Sequence, residues 1–348
     1  MPLITVNTDP ACPVMIERGL LARSGEVLTR YHNPCRVALF TDPTVGALYG
    51  AALESALAKA GFSVERILLP AGEACKSWQT LGAVLEELAT RGFCRSDLVL
   101  TLGGGTVGDL GGLAAALYHR GIPCVNLPTT LLAAVDAAIG GKTAVDLAAG
   151  KNLAGVIRQP LAVLCDPDLL STLPPPEWAN GMAEVIKTGV LGAAGVWEQL
   201  TRPLPDEEAL IAACAAYKAA LVASDEADEG PRQLLNLGHT VGHAIEKASG
   251  YTIPHGQAVA VGLAVMVRAA ASMGDMPPED AAAIQGALRR WGLPVDPSYS
   301  AGVLMPLIAH DKKRCGKDYT IVWPKGIGRC CLRSVSEADL SEILQAGL

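Results

Sequence analysis

Short apolar, β-branched runs alternate with helical periodicity through the first half of the chain. Arg36–Asp42 predicts a strand ending in an acid, and residues 43–61 a helix. Ser63–Pro70 predicts a second strand, 77–91 a second helix, and Asp97–Leu102 a third strand running into glycines. Pro123–Pro128 and Leu161–Asp166 predict two more strands. Strands this apolar, alternating with helices, imply a parallel sheet covered on both faces. The pattern changes at Leu173-Pro-Pro-Pro-Glu177, where three prolines and an acid suit a helix start and a domain boundary. From there to about residue 310 the chain reads as Ala-rich helix, and Tyr319–Trp323 with Arg329–Arg333 predict a terminal hairpin. The expected fold is an α/β nucleotide-type domain over residues 1–173, then an essentially all-α domain over 174–348. The active site is expected in the interdomain cleft.

Composition narrows the field. Of 348 residues 50% are hydrophobic, so the chain is expected to fold rather than stay disordered. The net charge is −7, with both signs mixed and no basic stripe, so neither nucleic acid nor an anionic membrane is an expected partner. The ten cysteines are scattered without a Cys-x-x-Cys pair and mostly sit in apolar runs, as reduced, buried thiols do. The start, Met1-Pro-Leu-Ile-Thr-Val, lacks the regions of a signal peptide, and no apolar run is long enough for a membrane span. A cytoplasmic location is expected.

Gly103-Gly-Gly105-Thr-Val-Gly108-Asp109 follows a strand and opens a helix, satisfying G-x-G-x-x-G. Glycines there let backbone approach a pyrophosphate, which the helix N-terminus also attracts. The usual acid about twenty residues on is missing. Asp42, ending an earlier strand, is a candidate ribose partner, and Thr129-Thr130 add two hydroxyls in the same region. A tight packing turn is the competing explanation, and the combination favours a dinucleotide.

His239 and His243 lie four apart in an apolar helical segment and so share one face. His255 follows before another helix, and Glu184 lies on the predicted helix Trp178–Lys187. A His/His/Glu set with an open position is the pattern of a catalytic zinc. Core or capping histidines are the plainer alternative, but three of six histidines fall within seventeen residues. Thr240 after His239 breaks the H-E-x-x-H pattern of zinc peptidases. Cations and amides recur in apolar surroundings at Arg120, Lys142, Lys151, Asn152, Lys187, Lys218, Arg232, Asn236, Lys312 and Lys313. Converging on one cleft, they would bind a phosphate dianion and a carboxylate.

Taken together, Gly103–Leu110, Pro128-Thr-Thr-Leu-Leu, Val135–Thr143, Gly150-Lys-Asn, Met182–Lys187, Asn236–Glu246, His255-Gly and Asp311-Lys-Lys closely resemble the 3-dehydroquinate synthase family. The resemblance runs in order from about residue 36 to 330. It implies a Rossmann-like N-terminal domain, a helical C-terminal domain and a homodimer. It implies metal ligation by Glu184, His239 and His255, with zinc as the ion and cobalt or another divalent metal as substitutes. His243 then moves protons instead of binding metal, and Glu246, Lys142, Lys187 and Asn152 complete the implied catalytic set. Asp136, Lys142, Lys151, Asn152, Lys187, Lys218, Arg232 and Asn236 are implied to hold substrate, with one of Lys312 and Lys313 closing over it. Arg120 is implied to reach the neighbouring subunit's substrate. For NAD the similar positions are Asp42, Glu73, Lys76, Gly105, Thr106, Asp109, Thr129, Thr130, Lys142, Lys151 and Thr172. Four features depart from the commonest pattern: Asp146 for Asn, Gln257 for Glu, Ala137-Ala138 for a Ser pair, and Arg158 for an aromatic. The residue that partners His255 is thereby left open.

The implied reaction turns 3-deoxy-D-arabino-heptulosonate 7-phosphate into 3-dehydroquinate and phosphate, a step of the shikimate pathway towards aromatic amino acids. It proceeds by transient oxidation with NAD, phosphate elimination, re-reduction and intramolecular aldol closure. The competing expectations are a sugar phosphate cyclase of secondary metabolism, a metal-dependent polyol dehydrogenase, and a regulatory protein retaining the fold.

Overall fold

The computed structural model describes residues 3–202, 205–309, 314–315 and 318–348. It divides into two compact units, Met1–Leu173 with Lys218–Ala227, and Pro174–Tyr217 with Asp228–Leu348. The expected division was contiguous, and Lys218–Ala227, the end of helix Glu207–Ser224 and the turn after it, is the exception.

The first unit is built on a seven-stranded sheet. Its strands are β1 (Leu3–Val6), β2 (Cys12–Ile16), β3 (Arg36–Thr41), β4 (Ser63–Leu68), β5 (Leu98–Gly103), β6 (Cys124–Pro128) and, after the hairpin β7 (Lys142–Leu147) and β8 (Gly150–Ile157), β9 (Ala162–Cys165). The order is β1-β2-β9-β6-β5-β3-β4, and every pairing is parallel except the β1–β2 edge. Strands β3, β5 and β9 are almost wholly buried, which explains their unbroken apolar runs. One apolar cluster gathers Leu39, Leu100, Val125 and Leu164 with Leu53 and Leu57. A second gathers Phe40, Val99, Leu110 and Leu81. The chain passes from β3 out to β4 and returns on the other side of β3 as β5. That reversal opens a crevice at the carboxyl ends of β3 and β5, where such sheets bind ligands. The five strands expected from sequence lie within two residues of those observed. Strands β1, β2, β7 and β8 are additional.

The second unit is helical up to Ala309, with helices Pro175–Leu191, His239–Ala248, His255–Ser272 and Pro278–Arg290. The expected hairpin is present as β11 (Asp318–Gly326) and β12 (Arg329–Val335), with a two-residue strand β10 (Arg314–Cys315) paired on the other edge of β11. The unit is thus helical with a small antiparallel sheet, not all-α throughout. No helix among the described residues is long and apolar enough to cross a membrane.

Candidate active site

In the first unit the expected cofactor residues follow the carboxyl ends of the sheet strands. Asp42 follows β3 and caps the next short helix, its Oδ1 accepting from Thr44 and Val45 N–H. Glycines 103–105 carry the chain from β5 into helix Gly105–Leu117. A Cβ at Gly103 would meet the Val107 side chain at 2.7 Å, and one at Gly104 would meet the Thr130 side chain at 3.1 Å, so neighbouring side chains pack directly on the glycine backbone. Thr129 and Thr130 follow β6. The Thr129 hydroxyl is buried without a hydrogen-bond partner among the described residues, which suits a ligand oxygen in its place. Thr172 ends the helical turn after β9, its hydroxyl 2.6 Å from Tyr49 Oη.

Lys76, 5% exposed, ties several of these segments together. Its Nζ lies 2.8 Å from Asp109 Oδ2 and donates to Asn152 Oδ1 at 2.5 Å, with Glu73 at 3.7 Å and Asp146 at 4.0 Å. Lys151 approaches Glu73 at 3.4 Å. Burial pushes the Lys76 ammonium down, but the surrounding carboxylates outweigh it and the net shift is upward. Burial likewise raises the Asp109 carboxyl, against the pull of Lys76. Lys218 Nζ holds Asp136 at 2.6 Å. Lys142 and Asp109 open onto one cavity of about 430 Å³, lined also by Gly108, Gly112, Asn126 and Arg158. Arg120 is exposed, in a turn where His119, Arg120 and Gly121 all have positive φ.

In the second unit the metal-type cluster is assembled by close helix packing. Gly238 has φ +79°, and its Cβ would meet Leu263 N at 2.8 Å. A Cβ at Gly262 would meet Gly238 O at 2.1 Å. Only glycines let helix His239–Ala248 lie this close to helix His255–Ser272. The approach brings the His239 and His255 rings to 5.2 Å between centroids. Glu184 enters from helix Pro175–Leu191, whose Asn180 Oδ1 accepts the Gly256 N–H at 2.5 Å.

Each ring is oriented by its other nitrogen. His239 Nδ1 lies 3.2 Å from Leu237 O, and its Nε2 lies 3.7 Å from Glu184 Oε1. His255 Nδ1 lies 3.2 Å from Glu246 Oε2, and its Nε2 lies 3.5 Å from the same Glu184 Oε1. With the Nδ1 atoms directed at Leu237 O and Glu246, both Nε2 atoms face the Glu184 carboxylate. Two ligand atoms each about 2.1 Å from one tetrahedral zinc are about 3.4 Å apart, so this spacing fits a shared ion. Glu184 is fully buried, and neither oxygen receives an aligned hydrogen bond, while Lys187 lies against Oε2 as an ion pair. Burial raises this carboxyl, but Lys187 and His255 more than offset it and hold it at about 2. Burial alone would lower His255, but its two carboxylate neighbours push it up to about 10. An ionised carboxylate and two aligned imidazoles are the donor set of a divalent metal. His243 stands 5.3 Å from His239 and 6.1 Å from His255 between ring centroids. Arg232 and Lys187 are each about 1% exposed, and Asn236 ends the turn Pro231–Asn236 before the histidines.

Residues 66–180 match the family described as 3-dehydroquinate synthase N-terminal, and residues 181–314 match 3-dehydroquinate synthase C-terminal. A 3-dehydroquinate synthase of Latilactobacillus sakei is 44% identical over 337 residues, covering 94% of both chains. The chain belongs to the 3-dehydroquinate synthase family. A family member from Neisseria gonorrhoeae is 40% identical over 98% of both chains. Among solved structures, a 2-deoxy-scyllo-inosose synthase complexed with carbaglucose-6-phosphate, NAD+ and Co2+ is similar at TM-score 0.87 and 25% identity, with 100% of both chains covered. A 2-epi-5-epi-valiolone synthase from Streptomyces hygroscopicus with NAD+ and Zn2+ bound gives 0.85 and 26%, covering 96% of this chain and 94% of that one. An iron-containing alcohol dehydrogenase, 16% identical at TM-score 0.65, shares the fold alone.

Within this family member the structure gathers the expected residues into two sets. Glu73, Lys76, Asp109, Lys151 and Asn152 form one, and Glu184, Lys187, His239, His243, Glu246 and His255 form the other. Lys312 and Lys313 lie outside the described residues. Sequence reasoning left the partner of His255 open, and the structure assigns Glu246, already suspected only as a proton-transfer neighbour. It also gave no role to Asn180 or to Leu237 O. The sequence signal for Glu246 was its place at the end of the family-like stretch Asn236–Glu246.

Proposed function

We propose that this chain, a carbon–oxygen lyase, converts 3-deoxy-D-arabino-heptulosonate 7-phosphate to 3-dehydroquinate and phosphate, with oxidation and re-reduction cancelling within each turnover. The observation that carries the reading is the aim of His239 Nε2 and His255 Nε2 at one buried Glu184 oxygen. In a 3-dehydroquinate synthase that trio holds a divalent ion, here zinc or cobalt. Such an ion would acidify substrate hydroxyls, and NAD would supply a hydride acceptor that is regenerated.

The chain's own residues do the rest. Glu184 is ionised across the neutral range and needs no deprotonation to act as a ligand. Glu246 accepts the His255 Nδ1 proton and so fixes which nitrogen faces the metal position. His243 stands beside the His239 and His255 rings and groups with Glu246 and His255, which fits a proton carrier at a substrate hydroxyl. By the family resemblance, Lys142, Lys151, Asn152, Asp136, Lys218, Lys187, Arg232 and Asn236 orient the phosphate, carboxylate and hydroxyls. Asp42, Glu73, Lys76, Gly105, Thr106, Asp109, Thr129, Thr130 and Thr172 hold the dinucleotide, whose pyrophosphate suits the N-terminus of helix Gly105–Leu117. Arg120 serves a neighbouring subunit in a cytoplasmic homodimer.

The test is phosphate release from the heptulosonate phosphate, with and without chelator, while NADH absorbance is followed. Metal-dependent phosphate release without net NADH is expected. No release with metal and NAD present would overturn the reading. Net NADH with glycerol-like substrates would instead favour a polyol dehydrogenase. The likeness to 2-deoxy-scyllo-inosose synthase supplies a second reading, a cyclase of another sugar phosphate. Release from glucose 6-phosphate in place of the heptulosonate would select it.

A further inference from the structure

Asp146, 4.0 Å from Lys76 Nζ at the edge of the first set, departs from the Asn common in the family and sits at an irregularity that carries Asn152. Strands β7 and β8 pair as a hairpin whose register shifts between Val145 and Leu147. Val145 faces Ala154 and Leu147 faces Gly150, so Lys151, Asn152 and Leu153 bulge opposite Asp146 alone. Bulges of this kind re-aim side chains and recur beside active sites. Asn152 is the left-handed residue of the bulge, at φ +54°. Its backbone N–H donates to Asp146 Oδ1 at 2.8 Å, and its side-chain Oδ1 accepts from Lys76 Nζ at 2.5 Å. Asp146 is itself fixed to the same lysine residue, its N–H donating to Lys76 O at 2.8 Å. Main chain and side chain of Asn152 are thus anchored separately, by Asp146 and by Lys76.

We infer that Asp146 is a positioning residue: its carboxylate holds the Asn152 backbone in the left-handed bulge and so sets the direction of the Asn152 amide towards substrate and cofactor. The inference deepens the synthase reading and rests on it for the role of Asn152. Either Asp or Asn offers an oxygen to the Asn152 N–H, so the departure from the family residue keeps the function of the position. An apolar residue cannot supply that oxygen.

The experiment compares Asp146→Val, Asp146→Ala and Asp146→Asn in the full-length, metal- and NAD-loaded protein. Valine suits a strand position, and alanine removes the acceptor without added bulk. Both are expected to lower kcat/KM for the heptulosonate phosphate roughly tenfold or more, because a displaced orienting group costs that order of rate. Asp146→Asn is expected to restore it to within about twofold. In an Asn152→Ala background, adding Asp146→Val is expected to change kcat/KM by less than about twofold, since a residue acting through another is non-additive with it. Amide exchange of 150–153 supplies a readout independent of turnover: it should be faster in the Val and Ala variants than in the wild type and Asp146→Asn. Additive losses, or unchanged exchange in the Val and Ala variants, would overturn the inference. A wild-type protein that releases no phosphate would overturn the synthase reading instead, and the exchange comparison would still test the anchor.

Discussion

His255 Nδ1 lies 3.2 Å from Glu246 Oε2, and this contact turns His255 Nε2 towards the Glu184 carboxylate 3.5 Å away. Glu246 sits on helix His239–Ala248 and His255 begins the next helix, so a carboxylate from one element sets the tautomer of an imidazole on another. Partners of this kind tune metal affinity by about 10–100-fold. Glu246→Ala should therefore weaken zinc binding by roughly that factor, and Glu246→Gln, which keeps an acceptor, by less. Competition against a chromophoric chelator measures both. Equal affinity in all three proteins would show that the contact does not orient the ligand.

His239→Ala and His243→Ala should separate two roles within one helical turn. Removing His239 takes away a ring whose Nε2 faces Glu184, so metal content and turnover should fall together. Removing His243 should leave metal content near wild type and lower kcat by roughly 10²–10⁴, the usual worth of a positioned acid–base group. Metal analysis of the purified variants beside kcat decides it. A zinc-replete, active His239→Ala protein would refute the ligand assignment.

That His239 and His243 share a helical face was legible in the sequence from their four-residue spacing. Which ring nitrogens of His239 and His255 turn towards Glu184 was not legible from spacing. It depends on Leu237 O and Glu246, which select ring nitrogens through tertiary contacts. In the fold, β3 and β5 announced themselves through unbroken apolar runs. Strand β2 did not, since Pro13 interrupts it near its start, before the ladder with β9 begins at Val14. The β7–β8 hairpin was equally silent. It turns through Ala148-Ala149, without the Asn-Gly or Asp-Gly signature of tight hairpins, and its exposed Leu153, Val156 and Ile157 blur the alternation.

Glu184→Leu tests the electrostatics of the cluster through stability. Lys187 is about 1% exposed and lies against Glu184 Oε2. Leucine would leave its ammonium buried without that partner, and breaking a buried pair costs roughly 3–5 kcal/mol. The metal-free variant should melt well below the metal-free wild type. The double variant Glu184→Leu/Lys187→Met should recover much of the difference. Urea denaturation of the three proteins without metal checks the order, and no recovery in the double variant would mean that the loss comes from packing.

Thiol reactivity should follow burial. Burial pushes the Cys12, Cys124 and Cys330 thiols up to about 12, and Cys35 and Cys75 up to about 11, with nearby carboxylates adding to the latter two. At pH 8 a thiol with a pKa near 12 is ionised in about one molecule in ten thousand, and the thiolate is the nucleophile. Cys94 is exposed. Iodoacetamide at pH 8 should modify Cys94 first among these six, followed by mass spectrometry of the peptides. Raising the pH to 10 should raise the thiolate fraction of Cys35 and of Cys12 by a similar factor of roughly a hundred, with half-buried Cys35 remaining the faster of the two to react. Early modification of Cys12 in the folded protein would contradict the burial described here.

Gly262→Ala probes the close approach on which the histidine cluster depends. The added Cβ would stand 2.1 Å from Gly238 O, and backbone on both sides leaves it nowhere to move. Overpacking of this kind costs roughly 1–3 kcal/mol and is relieved by backbone shifts. The shift available is a separation of helix His239–Ala248 from helix His255–Ser272, which would pull His239 and His255 apart. Zinc affinity should therefore fall along with the melting temperature. Gly286→Ala, on the exposed side of a helix where a Cβ meets nothing within 4 Å, is the control and should leave zinc affinity unchanged. If Gly262→Ala melts early yet binds zinc as tightly as the wild type, the glycine contact serves packing alone and the metal cluster is held by other means.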